Sequence, residues 1–284
     1  MTGRLVLVAT PIGNLGDLAP RAVQALAGAD VIACEDTRRT GRLLQHAGVT
    51  GKRLLVVNEH TEASQVPVVL GLLAGGATVA VVSDAGTPGV SDPGERLVRA
   101  ALAAGHDVGV VPGASAALAA LVVSGLPAGR FVFEGFLPRR GPARTARLAA
   151  VSAEPRTVVL YEAPHRLART LADLSEGCGP QRRVALVREL TKLHEEVWRG
   201  TLGDAVARCA DIDPRGEYVV VLAGAPPAAA ATDDDVTAAL QARLDAGLST
   251  RDAAAAVAAA LGVPKRRAYD VAVRLRPTGG AAGR

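Results

Sequence analysis

Five short stretches hold most of the side chains able to do chemistry. They are Glu35-Asp36-Thr37-Arg38-Arg39, the run Ser83 to Asp92, Tyr161 to Arg166, Arg188 to Lys192, and Arg139 to Arg144 with Arg147. The loop from Ser83 is rich in Gly, Pro and small polar residues, which lets a flat ligand approach the backbone closely. Asp84 and Asp92 within it suit a cationic ligand or the hydroxyls of a ribose, although Asp92 before Pro93 reads equally well as a helix N-cap. Asp36 or Thr37 can likewise cap a helix, yet four charged residues in a row are more than a cap requires. A lone histidine such as His165 is ordinarily structural, and its place beside Arg166 strengthens the chemical alternative. The arginines at 139, 140, 144 and 147 suit phosphate groups, with a solvated basic face as the plain alternative.

Several chemistries are absent. There is no G-x-x-x-x-G-K-[ST] loop, no G-x-G-x-x-G after the first strand-like run and no G-x-S-x-G. Cys34, Cys178 and Cys209 are widely spaced without a C-x-x-C pair, so no metal framework is expected, and the odd count suits a reducing cytoplasm.

The elements that must position these stretches alternate along the first half. Strand-like runs at Arg4 to Thr10, Val31 to Cys34, Leu54 to Val57, Thr78 to Ser83 and Val108 to Val111 are separated by helical patterns at 20–27, 37–46, 62–73 and 93–104. Pro67 is expected to break or delay the third of these helices. Such alternation predicts a mostly parallel sheet covered on both faces, with ligands at the carboxyl ends of the strands. Those ends carry Thr10 to Asn14, Glu35 to Arg38, Ser83 to Pro88 and Pro112 to Ser115, so the unusual residues converge on one rim. A second α/β domain follows, with strands expected at 131–135, 157–162, 183–187, 196–199 and 217–222, and short connections that imply antiparallel neighbours. The expected boundaries are 1–113, 114–225 and 226–284. The last span is a Pro/Ala linker, three short helices of helix-turn-helix type, and a disordered tail after Pro277.

Length and composition agree with a folded protein of 284 residues, 49% hydrophobic and 21% charged. Aromatics make up 2%, so a reader that stacks several bases on its own rings is not expected. Lys and Arg total 32 against 28 Asp and Glu, a mild excess that permits a polyanionic partner. No apolar run is long enough for a membrane span, and no signal peptide is expected.

Taken together, Ala9 to Asp17, Glu35 to Arg38, Ser83 to Gly94, Ser124 to Pro127, Phe133 to Pro138, Tyr161 to Arg166 and Arg188 to Lys192 resemble, in order, the motifs of the ribosomal RNA small subunit methyltransferase I family. The resemblance covers roughly residues 4 to 224 and extends to an appended helix-turn-helix. It implies the tetrapyrrole methylase fold, S-adenosylmethionine as methyl donor and 2′-O-methylation of cytidine 1402 in 16S rRNA of the small ribosomal subunit. A homodimer and a cytoplasmic location are implied as well. Where the tetrapyrrole branch has G-x-G-P-G-D, this chain has Thr10 to Asn14, and Ser83 to Pro88 replaces its G-D-P, which argues against a porphyrinoid substrate.

By resemblance the cofactor residues are Pro11, Ile12, Asp84, Gly86, Thr87, Ser115, Ala116, Tyr161 and Ala163. A ribose hydroxyl needs a base or a charge-stabilising cation. The candidate bases are Glu35 or Asp36, then His165 and Glu162, with Arg38, Arg166 and Lys192 touching phosphate or alkoxide. Arg39, Arg139, Arg140, Arg144, Arg166, Lys265, Arg266 and Arg267 are the expected RNA contacts. The alternatives are a tetrapyrrole methyltransferase of the same fold and a ligand-sensing DNA-binding regulator.

Overall fold

Short apolar runs become strands where both faces of a sheet are covered, and the first half of the chain is built in this way. Strands β1 (Arg4–Val8), β2 (Val31–Cys34), β3 (Arg53–Val56), β4 (Thr78–Val81) and β5 (Asp107–Val111) form one parallel sheet in the order β3-β2-β4-β1-β5. The alternation of β2 divides its side chains: Ile32 and Cys34 pack with Val8, Leu26 and Ala80 on one face, Val31 and Ala33 with Leu73, Val79 and Leu97 on the other. Helices α1 (Pro20–Gly28), α2 (Thr37–His46), α3 (Glu62–Ala74) and α4 (Glu95–Ala103) connect the strands. The computed structural model describes residues 3–227 and 231–275. Residues 228–230 of the alanine run, Arg276 and the tail after Pro277 lie outside the described residues.

Two expectations fail here. Pro67 does not interrupt α3, which runs unbroken from Glu62 to Ala74. Proline costs the helix one backbone bond, and the packing of Val66, Val69, Leu70 and Leu73 in the core outweighs that loss. Asp92 does not cap α4 either. The N-cap is Gly94, without a side chain, and the buried Glu62 of α3 does the capping. Its Oε1 accepts the N–H groups of Gly94 (2.9 Å), Arg96 (3.0 Å) and Leu97 (3.4 Å).

The second half contains α5 (Ala116–Ser124), β6 (Phe131–Phe136), α6 (Pro142–Ala153), β7 (Thr157–Glu162), α7 (Pro164–Cys178), β8 (Arg183–Arg188), β9 (Glu196–Thr201), α8 (Leu202–Asp211) and β10 (Tyr218–Leu222). Its sheet has the order β6-β7-β10-β8-β9, with β6 and β7 parallel and the remaining pairs antiparallel. Leu160, Leu167, Leu171, Leu186 and Val220 build its core under α6, α7 and α8, and α5 covers the opposite face through Ala117, Ala120 and Leu121. Residues 1–225 make one compact unit and 226–284 another.

The smaller unit is three helices, α9 (Asp233–Asp245), α10 (Thr250–Leu261) and α11 (Lys265–Arg274). Thr232 and Asp235 cap α9 reciprocally, and the Ser249 side chain caps α10. Val236, Leu240, Ala253, Val257, Ala268 and Val271 supply a core of its own.

Glu62→Ala is expected to leave three N–H groups at the start of α4 without an acceptor. The loss is about 2 kcal/mol, or a Tm about 4–8 °C lower for a unit of this size. Glu62→Gln, which keeps an acceptor oxygen, should lose less. An unchanged Tm for the alanine variant in thermal unfolding followed by circular dichroism would place the cap elsewhere.

Candidate functional site

The loops at the carboxyl ends of the first sheet are tied to one another before they meet any ligand. Thr10 and Gly86 exchange backbone bonds (Thr10 N–H to Gly86 O 2.8 Å, Gly86 N–H to Thr10 O 3.1 Å), and Thr10 Oγ1 donates to Ser83 O at 3.2 Å. Thr87 Oγ1 donates to Ala114 O at 3.3 Å, joining the loops after β4 and β5. The loops after β2 and β4 hold each other reciprocally: Asp84 N–H donates to Glu35 Oε1 (3.0 Å) and Asp36 N–H to Asp84 Oδ1 (3.3 Å). Gly86 has φ +83°, where a side chain is strained, and a Cβ there would stand 3.3 Å from Ile12 Cγ2.

Two adjoining cavities open at this rim. The first, about 280 Å³, is mostly apolar. Ile12, Gly86, Thr87, Ser115, Ala116, Tyr161 and Ala163 line it, together with Val90, Ser91, Asp92, Phe136 and Val187. The second, about 310 Å³, is lined by Thr10, Pro11, Gly13, Leu15, Arg39, Arg42 and Asp84. Ile12, Ala85, Lys192 and Glu217 belong to both walls and mark the junction. Of the expected cofactor residues, seven therefore share the apolar cavity, while Pro11 and Asp84 face the basic one.

Three acids, Glu35, Asp84 and Asp92, cluster at this rim. Burial raises the Glu35 carboxyl above the usual range, with Asp84 pushing the same way. Asp92 is pushed up to about 7, by burial first and by the Glu35 and Asp84 charges next, against a stabilising bond from Ser83. Asp84 faces Arg39 Nη1 at 3.4 Å. Asp92 thus exchanges its proton near neutral pH inside the apolar cavity, a common mark of functional acids and bases. Among the described residues no group of His, Cys, Asp and Glu is arranged to hold a metal ion.

The other expected residues divide sharply. Asp36 is the N-cap of α2: its carboxylate accepts from Arg38 N–H (2.8 Å) and Arg38 Nη2 (3.0 Å), and the guanidinium holds it down at about 2. So low a pKa makes a weak base, and Arg38 is its exposed partner. Glu35 lines neither cavity; its Oε1 is spent on the Asp84 backbone. His165 is exposed in the first turn of α7, outside both walls. Glu162 borders the apolar cavity but is saturated, with bonds from Ala163 N–H (3.0 Å) and Thr170 Oγ1 (2.6 Å) and an ion pair with Arg166 at 3.1 Å.

Arg144 is no RNA contact: its side chain is 4% exposed and bonds Asp173 (2.6 Å), Thr170 Oγ1 (3.1 Å) and Pro138 O (3.0 Å). Arg166 is likewise committed, to Glu162 and to Leu137 O at 2.6 Å. Arg39, Arg139 and Arg140 remain exposed, as do Lys265 and Arg266 in the smaller unit. Arg267 is drawn onto Asp233 (2.7 Å) and Ala231 O (2.8 Å). Lys192 Nζ sits 2.9 Å from both Glu189 and Glu217. Burial opposes its charge, and the bonds to the two carboxylates prevail and raise its pKa.

The sequence reading missed Arg42 in the basic cavity and the apolar wall of Val90, Phe136 and Val187. Backbone strain marks this site in the structure, and no residue pattern displays it. The three described non-glycine residues with left-handed φ, Ser91 (61°), Glu189 (47°) and Thr191 (66°), all lie in the loops that wall these cavities. Such strain concentrates at functional sites.

Residues 4–206 match the Tetrapyrrole (Corrin/Porphyrin) Methylases. A ribosomal RNA small subunit methyltransferase I from Synechocystis sp. is 44% identical over 98% of this chain and 100% of its own. One from Mycobacterium tuberculosis (strain CDC 1551 / Oshkosh) is 48% identical over 99% of both. The crystal structure of uroporphyrin-III-C-methyltransferase from Thermus thermophilus superposes with a TM-score of 0.56 at 25% identity, covering 77% of this chain and 94% of that one.

The raised carboxyl of Asp92 has a stability signature. An unfolded Asp ionises near its ordinary value of 3.8, whereas the folded group keeps its proton until about 7. Between these values the folded state binds more protons, so this group's contribution makes stability fall as pH rises. Asp92→Asn removes that contribution. Its Tm relative to the parent is expected to climb from pH 4 to pH 7 and to level off above. A difference independent of pH would mean that Asp92 ionises normally.

Proposed function

We infer the function from family membership first: the chain belongs to the ribosomal RNA small subunit methyltransferase I family, within the tetrapyrrole methylases. It is an S-adenosylmethionine-dependent methyltransferase of small-subunit rRNA, and the 2′-oxygen of cytidine 1402 is its target. The observation that carries this reading is the pairing of an apolar cavity, walled by the family motifs, with a basic one across a shared junction. No helix of the described residues is long and apolar enough to cross a membrane. A ribosome-directed enzyme belongs in the cytoplasm.

The apolar cavity fits the methyl donor. Gly86 keeps its Cα bare at φ +83° against Ile12, a close approach that a side chain would fill. Phe136 and Tyr161 offer ring surface, and Thr87, Ser115 and Asp92 offer polar atoms. Ile12, Gly86, Thr87, Ser115, Ala116, Tyr161 and Ala163 would hold the donor, which supplies an electrophilic methyl group on a sulfonium.

The protein's own work is placement and proton removal. Apolar walls exclude water, and the junction at Lys192 and Ile12 brings the ribose in line. Asp92 accepts the hydroxyl proton, because its carboxyl titrates near the working pH and lines the donor cavity. Glu35 is a positioning residue: it fixes Asp84 and raises Asp92 by its charge. Arg39 and Arg42 receive the phosphates, with Arg139, Arg140, Lys265 and Arg266 as outlying contacts.

The enzyme acts as a homodimer. Helix α5 is apolar on every side, with Leu118 and Val122 more than half exposed, and a second copy is the occupant that would cover such a face.

Asp92→Asn is expected to lower methyl transfer to unmethylated 30S particles at least ~10²-fold while leaving S-adenosylhomocysteine affinity nearly intact. Glu35→Gln should fall less. A few-fold loss in Asp92→Asn would return the role of base to another group. Mass spectrometry of rRNA from a deletion strain tests the target itself: one ribose methyl, at cytidine 1402, should be missing.

Truncation after Ala225 removes a unit that has its own core. Cofactor affinity should persist, while particle binding weakens and its log–log salt slope becomes shallower by roughly one unit for each phosphate that the missing helices had neutralised. Equal slopes in a filter-binding titration would free Lys265 and Arg266 of this role.

A further inference from the structure

Strand β6 lies at the edge of the second sheet and changes step before it ends. Phe133 stands opposite Val159 of β7, but Gly135 is opposite Leu160 and Phe136 opposite Tyr161, so Glu134 is an extra, bulged residue. The bulge decides which way Phe136 points. Phe131, Phe133, Val159 and Tyr161 pack on the α5 face of the sheet, whereas Leu160 packs in the core under α6, α7 and α8. Without the extra residue, strict alternation would set Gly135 on the α5 face and Phe136 on the other. With it, Phe136 returns to the face of Phe133, and the two rings meet Tyr161 edge to face with centroids 5.6 Å and 5.0 Å away. Bulges that re-aim a side chain are over-represented beside active sites.

The backbone on either side of Phe136 is fixed. Gly135 has φ +58° and packs so closely on the strained Ser91 that a Cβ would stand 2.8 Å from Ser91 Oγ. Beyond the ring, Leu137 is buried in the core of the second sheet. Leu137 O accepts from Arg166 Nη2 at 2.6 Å, and Pro138 O from Arg144 Nη1 at 3.0 Å. Both guanidiniums are anchored in turn, Arg166 on the buried Glu162 and Arg144 on Asp173. What this frame presents is bare: Phe136 is 52% exposed, more than any other aromatic residue described. Leaving so large an apolar surface uncovered is unfavourable, and here it faces a cavity of about 280 Å³ that a ligand would fill.

We propose that Phe136 is the platform on which a planar base stacks inside the apolar cavity. The proposal rests on the reading of the chain as an S-adenosylmethionine-dependent rRNA methyltransferase. Both reactants carry such a group, the adenine of the donor and the base of the target nucleotide, and every base offers a π-face to an aromatic ring. Of the three rings in the cavity wall, Tyr218 is buried and Tyr161 is in contact with both phenylalanines, which leaves Phe136 to offer an open face. Its edge-to-face contact with Tyr161 occupies one side of the ring and leaves the other for a ligand. The polar parts of either reactant have other partners, Thr87, Ser115 and Asp92 in the same wall and Arg39 and Arg42 beyond the junction.

The test uses the full-length protein, with S-adenosylhomocysteine, S-adenosylmethionine and unmethylated 30S particles as probes. Its variants are Phe136→Leu, which keeps apolar bulk without a ring, Phe136→Ala, and Phe136→Tyr, which restores the ring. F136L and F136A should weaken one of the two base-bearing reactants about fivefold or more, F136Y should recover most of the loss, and F136L should keep the parental Tm. A weaker S-adenosylhomocysteine affinity in calorimetry assigns the stack to adenine. An intact S-adenosylhomocysteine affinity with a raised KM for the particle assigns it to the base of the target. F136L and F136A within twofold of an active parent in both constants overturn the proposal. So does F136L equal to the parent where F136A is impaired, since any apolar bulk would then serve. A loss confined to S-adenosylmethionine also overturns it, because the ring would then be a contact of the sulfonium. If the parent itself binds no S-adenosylhomocysteine and transfers no methyl group, the methyltransferase reading fails, and the proposal with it.

Discussion

Backbone polar groups at the ends of parallel strands are the constraint on which the site depends. Each loop must leave the first sheet, remain open to a ligand, and still satisfy its N–H groups. The chain solves this with its own carboxylates. Glu35 takes the Asp84 N–H, Asp84 takes the Asp36 N–H, and Glu62 takes three at the start of α4. Two of these acids therefore stand beside Asp92 for structural reasons. Their charges, added to burial, raise its carboxyl to about 7. The reactivity read into Asp92 is thus a product of how the loops are held.

The sheet and its rim were legible because each element carries a local signal. Val31 to Cys34 reads as a strand buried on both faces, and Thr37 to His46 as a helix opened by a capping acid. The convergence of Thr10 to Asn14, Ser83 to Pro88 and Ser115 on one edge follows from alternation alone. What could not be read is whatever depends on a partner far along the chain. Arg144 looks like its neighbours Arg139 and Arg140, and partners on α7, Thr170 and Asp173, 26 and 29 residues on, draw it away from the surface. Lys192 looks like a free cation until Glu217 is brought beside it. Asp92 reads as a helix cap because nothing in its own segment reveals that Glu62 already does that work.

Fold and chemistry separate at the second cavity. The apolar cavity sits where strand ends and the second sheet meet, the place such folds offer to a ligand. The basic cavity is decorated instead by α2 and the loop after β1, through Arg39, Arg42 and Leu15. A structure that shares the overall fold at a TM-score of 0.56 serves a porphyrinoid, so the fold alone does not select the substrate. In this chain the arginines that mark the basic cavity, Arg39 and Arg42, both stand on α2.

Charge then explains the order of the parts across the junction. A sulfonium donor is cationic and an RNA strand is polyanionic, so one continuous field would favour one and repel the other. The acid and the bases are set apart: Asp92 lines the apolar cavity, and Arg39 and Arg42 line the basic one, where Asp84 stands against Arg39. Charges there are paired locally, Arg39 against Asp84 at 3.4 Å and Lys192 against both Glu189 and Glu217 at 2.9 Å each, the second group keeping one net negative charge. Such pairing matters because unit charges within about 10 Å act on each other at ordinary salt. An unpaired lysine at the junction would oppose the donor, and an unpaired aspartate would oppose the phosphates. On the proposed reading the ribose hydroxyl meets the two halves of the site where these pairs limit both fields, with Asp92 as the group able to change its charge there.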